Sequence, residues 1–392
     1  MAAILEFRHM SRQSVFLSLG FRPFFLGAAA HAALLLPLWL ALYALGVHLP
    51  LRFEPLVWHA HEMVFGYTGA VIAGFLLTAI PNWTGRAPLT GVPLGLLFAS
   101  WLAGRLALAL GSTFGPLASL VDIAFPVLLA IWVWREILSS SYRNGTLVGA
   151  MVTFFALANA GFHVQYAIGG GYVTGYRAGL LAIAVLISII GGRIVPAFTR
   201  NWLVAHGAKE QPRVSPRLDH LVIATTVLAL AVWLAQPYGI AAAVLLAAAA
   251  AVQSWRLAGW RGFATREEPL LFVLHAGYAW IPLALTLLAL AAVFPAVPAT
   301  TALHALTAGA IGTMTIAVMS RASLGHTGHP LTADRRLTAC YVLVGAGALL
   351  RVAAPWLPVG YVTAVSVSGL VWAAGFLGFL VRFAPSWLSP RA

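Results

Sequence analysis

The stretch WHAHEMVFGYTGAVIAGFLLTAI, residues 58–80, decides the fold. It opens on His59, His61 and Glu62, then runs from Met63 to Ile80 without a charged side chain. A hydrocarbon core about 30 Å thick needs ~20 apolar residues in helical form, and this stretch supplies them. The rest of the chain has the same character. Of 392 residues, 61% are hydrophobic and 8% are charged, where soluble proteins carry roughly 25% charged residues. Such a chain cannot cover a water-facing surface. Its 14 tryptophans suit side chains at bilayer interfaces.

Working outward with the same criterion gives an all-α integral membrane protein of about twelve spans. They fall near 23–45, 58–80, 91–110, 114–138, 146–168, 177–198, 219–235, 237–257, 268–292, 301–321, 336–355 and 359–383. Residues 1–392 then read as one transmembrane domain, and the loop Thr199–Arg217 is the one soluble-looking segment. The single cysteine, Cys340, excludes a disulfide framework, a CxxC redox pair and a CxxCH haem-attachment site.

The net charge of +13 does not point to nucleic acid, because the basic residues stand singly in short loops rather than in runs. They report topology instead. With the N-terminus inside, 18 of them face the cytoplasm, and only Arg52 and Arg177 lie in outer loops. Arg105, Arg193 and Arg351 fall within spans. The expectation is a multi-pass protein of the inner (cytoplasmic) membrane with both termini cytoplasmic.

An internal repeat constrains the architecture. The second span reads His61-x4-Gly66-x2-Gly69 and ends at Thr84-Gly85. The tenth reads His304-x4-Gly309-x2-Gly312 and is followed by Thr327-Gly328. The offset is constant, 304 − 61 = 327 − 84 = 243. The sixth span ends Val195-Pro196-Ala197-Phe198-Thr199, an echo of Ile80-Pro81-Asn82-Trp83-Thr84. These spans are four apart, as in three pseudo-repeated four-helix units.

Ionisable groups inside a bilayer are costly and mark function by default. Neutral imidazole is the commonest metal ligand. His31, His59, His61, His163, His275, His304 and His326 all lie within or beside spans. Residues two apart on a helix point about 200° from each other, so His59 and His61 would reach different cofactors on opposite sides of their helix. Measured from the span ends, His59, His61, His163 and His304 group near the outer face. His31 and His275 lie deeper toward the inner one, and His326 lies at the inner surface. Arg22, Arg86, Arg193, Arg200 and Arg321 crowd that inner side, where arginine's planar fork suits carboxylates such as haem propionates. A histidine-rich set without thiolates or paired carboxylates suits haem iron and copper.

Several strings resemble the NnrS family. They are Phe21-Arg22-Pro23-Phe24-Phe25, Trp58-His59-Ala60-His61-Glu62-Met63, Gly191-Gly192-Arg193-Ile194-Val195-Pro196, His275-Ala276-Gly277-Tyr278-Ala279-Trp280 and Arg321-Ala322-Ser323-Leu324-Gly325-His326-Thr327-Gly328. The resemblance runs over nearly the whole chain. It implies a haem- and copper-containing membrane protein of nitric oxide metabolism and nitrosative stress, with the haem b-type since no attachment site exists. The implied metal ligands are His59, His61, His163, His275, His304 and His326. Twelve helices and a His-x-His pair also parallel the haem–copper oxidases, by analogy only. Three readings follow: a nitric oxide reductase with Glu62 delivering protons and an electron donor yet unknown, a protective NO binder without turnover, or a transporter.

Overall fold

The computed structural model describes residues 15–142 and 145–390. Of the basic residues used for orientation, Arg8, Arg12, Arg143 and Arg391 lie outside the described residues. Among the described residues the structure is helical, with no strand.

Twelve helices are long and apolar enough to cross a bilayer. They are α1 (Phe21–Ala44), α2 (Pro55–Thr84), α3 (Gly91–Ala109), α4 (Pro116–Leu138), α5 (Thr146–Ala167), α6 (Val173–Ala205), α7 (Pro216–Ala235), α8 (Ile240–Ala258), α9 (Pro269–Val293), α10 (Ala299–Thr327), α11 (Arg335–Trp356) and α12 (Tyr361–Leu388). Several of them overrun the expected spans toward the basic end of the bundle, α6 and α10 furthest. α6 continues through Ala205 and removes the first seven residues of the expected soluble loop. α10 continues through Thr327, so His326 belongs to the helix and not to the loop after it. Both extensions keep backbone N–H and C=O groups paired within the helix where hydropathy has already fallen.

Each helix packs against its chain neighbour, and α12 returns to pack along α1 and close the bundle. α2, α6 and α10 form the middle and touch one another. In their most apolar stretches 78%, 78% and 72% of the residues are buried, against 28–56% in the other nine helices. Three inner helices spaced four apart are what a threefold repeat of four-helix units requires. Tyr67 Oη and Thr315 Oγ1, 2.5 Å apart, tie α2 directly to α10.

The repeat has a backbone signature. α2 contains a π-helical turn over Glu62–Tyr67, and α10 contains one over Ala305–Ile311. A π turn leaves a carbonyl without its usual helical partner, and each is met by an indole. Trp101 Nε1 donates to Gly66 O at 2.9 Å, and Trp372 Nε1 donates to Ala308 O at 3.2 Å. Both helices then stop on left-handed glycines, Gly85 (φ 70°) and Gly328 (φ 85°), which carry no Cβ penalty there. α6 has no π turn and shares only the end of the motif, Pro196 and the Thr199 hydroxyl that donates to Val195 O as Thr84 does to Ile80 O, so two copies of the repeat are close and the third is remote.

Candidate metal centre

Five helices bring ionisable and amide side chains to one buried cluster. α2 supplies His61 and Glu62, which are 0% and 1% exposed. α3 supplies Arg105, α4 Asp122, and α5 both Asn159 and His163. α1 contributes His31 from its middle.

The contacts are continuous. Glu62 Oε1 accepts from Arg105 Nη1 at 3.0 Å and lies 3.3 Å from His61 Nδ1. The other Glu62 oxygen faces His31 Nε2 at 3.1 Å, a charge contact without good hydrogen-bond alignment. Arg105 uses its Nη2 on Asp122 Oδ1. Asp122 Oδ2 accepts from Asn159 Nδ2 at 3.0 Å, pairs with His163 Nε2 at 2.8 Å, and lies 3.2 Å from His61 Nε2. His61 Nε2 is also 3.2 Å from Asn159 Oδ1. His61, Asp122 and His163 each present a ligand atom within 4.8 Å of the others, all three buried. Phe53 roofs the group, its ring 5.6 Å from both imidazoles. The same phenylalanine lines a cavity of about 310 Å³ at the far end of the bundle, together with Arg52, Glu54 and Tyr166.

His59 faces the other way. Its ring stacks on Trp39 at 4.1 Å between centroids. Arg351 of α11 lies within electrostatic reach of both His59 and His304, and His59 and His304 are within reach of each other. His304 Nδ1 donates to Thr300 O at 2.6 Å, which leaves its Nε2 as the free lone pair. Trp39 Nε1, His59 Nδ1 and Arg351 Nη1 are buried without a hydrogen-bond partner. Such atoms are rare in folded proteins and call for a missing partner. Two imidazoles, one indole donor and a guanidinium for an anionic edge fit the chemistry of a haem with propionates.

The remaining expected ligands lie elsewhere. His275 bonds Thr199 Oγ1 at 2.8 Å and packs beside Trp260. His326 stacks on Phe21 and, with Arg321, Phe75, Asn82, Trp83 and Phe198, lines a cavity of about 410 Å³ at the basic end. Of the expected propionate partners, Arg321 lies over the Phe198 ring at 3.8 Å on that cavity's wall. Arg22 instead donates to the carbonyls of Ser386, Trp387 and Ser389, capping α12. Arg86 pairs with Glu136 at 2.5 Å, Arg193 donates to Tyr142 Oη at 3.1 Å, and Arg200 is exposed on α6.

One depth assignment is corrected. His31 does not group with His275 toward the basic end. It reaches Glu62 and so belongs with His61 and His163, because α1 leans against the π turn of α2, where it is wide. Arg105, Asp122 and Asn159 are site residues that the expected ligand set does not include. A signal existed for two of them. Arg105 sits four residues from the end of α3 and Asp122 six from the start of α4, so consecutive antiparallel helices place opposite charges at one depth.

A helical bundle of this kind defines a multi-pass membrane protein, and its buried imidazole–carboxylate cluster has the donor set that could hold a metal ion. Its family is equally definite. The chain matches the NnrS family, described as NnrS protein, over residues 15–391 and belongs to it; it is a membrane protein related to nitric oxide. Among curated proteins none matches.

Proposed function

We propose that this chain is a nitric oxide reductase, converting two NO, two electrons and two protons into N2O and water. One observation carries the reading. α2 directs His59 and His61 to opposite sides, where His304 lies within electrostatic reach of His59 and the His163 ring lies 5.0 Å from that of His61. One helix thus separates two imidazole sites by its own width. Haem b on the His59/His304 side, with Arg351 toward its propionates, would supply one-electron chemistry next to NO bound in the cluster. Copper is what the family resemblance implies for the second metal.

The chain's own residues have definable parts. Glu62 holds His61 through Nδ1 and turns Nε2 toward Asp122, as an outer carboxylate orients a ligand imidazole. The same carboxylate is a titratable group beside the cluster that would take up a proton and pass it on, with His31 behind it. Phe53 separates the cluster from the far-end cavity and limits water. NO is small and apolar and reaches the site through lipid. Placement in the inner membrane with both termini cytoplasmic follows from the 18-to-2 division of basic residues. The electron donor belongs on whichever face exposes the haem edge.

The test is purified protein analysed for haem and metal, then supplied with NO and an artificial electron donor. N2O formed at half the NO consumed supports the proposal. Stoichiometric NO uptake with no N2O replaces it with the protective binder.

A further inference from the structure

We propose that the non-haem metal of this protein is iron, held by His61, His163 and Asp122, and that copper does not belong in this cluster. The inference rests on the nitric oxide reading above.

Glu62 and Asp122 are each 1% exposed and Arg105 is 8% exposed, so two buried carboxylates share one guanidinium. Arg52 does not restore the balance. It lies over the Phe53 and Tyr166 rings at the rim, where Glu54 accepts from the same tyrosine. A net negative charge at membrane depth is expensive, so the cluster holds a cation or an added proton, and His31, 3.1 Å from the other Glu62 oxygen, is one place for a proton.

His61 shows where. Its Nδ1 faces a carboxylate oxygen, and its Nε2 faces Asn159 Oδ1 and Asp122 Oδ2. Both nitrogens point at acceptors, which a neutral imidazole with one N–H cannot satisfy. Either His61 carries two protons, or its Nε2 faces a metal ion lying among these oxygens. A cation between His61 Nε2, His163 Nε2 and Asp122 Oδ2 answers this, since His163 Nε2 lies 2.8 Å from the same oxygen. Arg105 then remains on Asp122 Oδ1 and Glu62 on His61 Nδ1, as supporting partners of two ligands.

Donor chemistry selects the element. The set is two imidazole nitrogens and one carboxylate oxygen. Imidazole alone suits copper as well as iron, whereas two histidines and one carboxylate with open positions are the set of non-haem iron(II). No thiolate is available to select copper(I), because the single cysteine, Cys340, is buried against Gly378 of α12. Nor do three histidines come together among the described residues. Zinc accepts the same donors, but it is redox-inert and would serve no electron transfer to NO.

The experiment is metal analysis of the full-length protein, with haem iron determined separately by its absorbance. Wild type is expected to carry iron in excess of haem iron and, exposed to NO after reduction, to show the EPR signal of a high-spin non-haem iron nitrosyl. Asp122→Asn removes the excess iron and the signal while haem absorbance stays. Because that variant leaves Arg105 with one partner and can misfold, Asp122→His is the second variant. It creates a three-imidazole set, and bound metal shifts from iron toward copper. Copper or zinc in the wild-type cluster overturns the proposal, as does a metal-free cluster with both His61 nitrogens protonated. N2O formation with copper in place would leave the reductase reading standing and remove this one. Non-haem iron without N2O would do the reverse.

Discussion

His61 and His304 occupy equivalent places 304 − 61 = 243 residues apart, each the last α-helical residue before a π turn. Their surroundings have diverged. His61 lies in a fully buried polar cluster with Glu62 and Asp122, whereas Ala305 follows His304, and its ring bonds only its own helix. One repeated device therefore presents two imidazoles to two chemistries, and the predictions follow from keeping them apart.

The two α2 histidines should fail differently. His61→Ala is expected to lower non-haem metal and spare the haem spectrum. His59→Ala should shift or remove haem absorbance and leave the other metal. Haem should leave with acid acetone, as no covalent attachment site exists. Metal content and optical spectra of both variants decide this, and two variants that both match wild type end the ligand assignment.

Glu62→Gln keeps shape and hydrogen-bonding capacity but neither titrates nor attracts Arg105 at 3.0 Å. If Glu62 delivers protons, the variant keeps its metals, binds NO and forms N2O far more slowly. If its main part is to orient His61, metal content falls in parallel with turnover. Measuring both on one preparation separates the two.

Gly66 is a close-approach position. A Cβ there would collide with the Arg105 guanidinium, while one on Gly69 meets Phe125 at 3.3 Å. Gly66→Ala should therefore push Arg105 off Glu62 and lower metal content, and Gly69→Ala should cost less. Metal per chain and melting temperature in detergent test the ordering.

Asp334 lies outside the spans and caps α11, accepting from Leu337 N at 2.8 Å and from Arg382 Nε at 2.9 Å. The Leu337 amide first, and then Arg382, hold its carboxyl below the usual carboxylate range. A lowered folded-state pKa gives stability that is present above the ordinary carboxylate pKa and lost as pH falls through the lowered one. Asp334→Ala should cost about 1 kcal/mol at neutral pH, the usual worth of such a cap. The gap to wild type should close in acid, as read by thermal unfolding at both pH values.

Topology is testable without purification. Reporters at Ala392 and within Lys209–Arg217 should read cytoplasmic, and one near Gly170 external. An external signal at Ala392 would reverse the orientation and move both imidazole sites to the cytoplasmic half.

The amino-acid sequence determined the class, the number of spans and the repeat. Hydrocarbon imposes one criterion, about 20 apolar residues per crossing, and each helix meets it locally. The repeat was legible because a π turn, a close-packed glycine and a left-handed cap each demand a residue type at a fixed place. His61 and His163 were legible as rare polar residues in apolar runs. Only the tertiary structure decided which groups meet. Arg105, Asp122, Asn159 and His31 come from four helices besides α2, and a helix apolar on every side carries no pattern that says which face turns inward. Rotation and pairing are set by packing, through glycines such as Gly66 that let a guanidinium approach the backbone and through indoles such as Trp101 that pair with a π-turn carbonyl. Those contacts placed an aspartate between two histidines and made a row of isolated polar residues into a site.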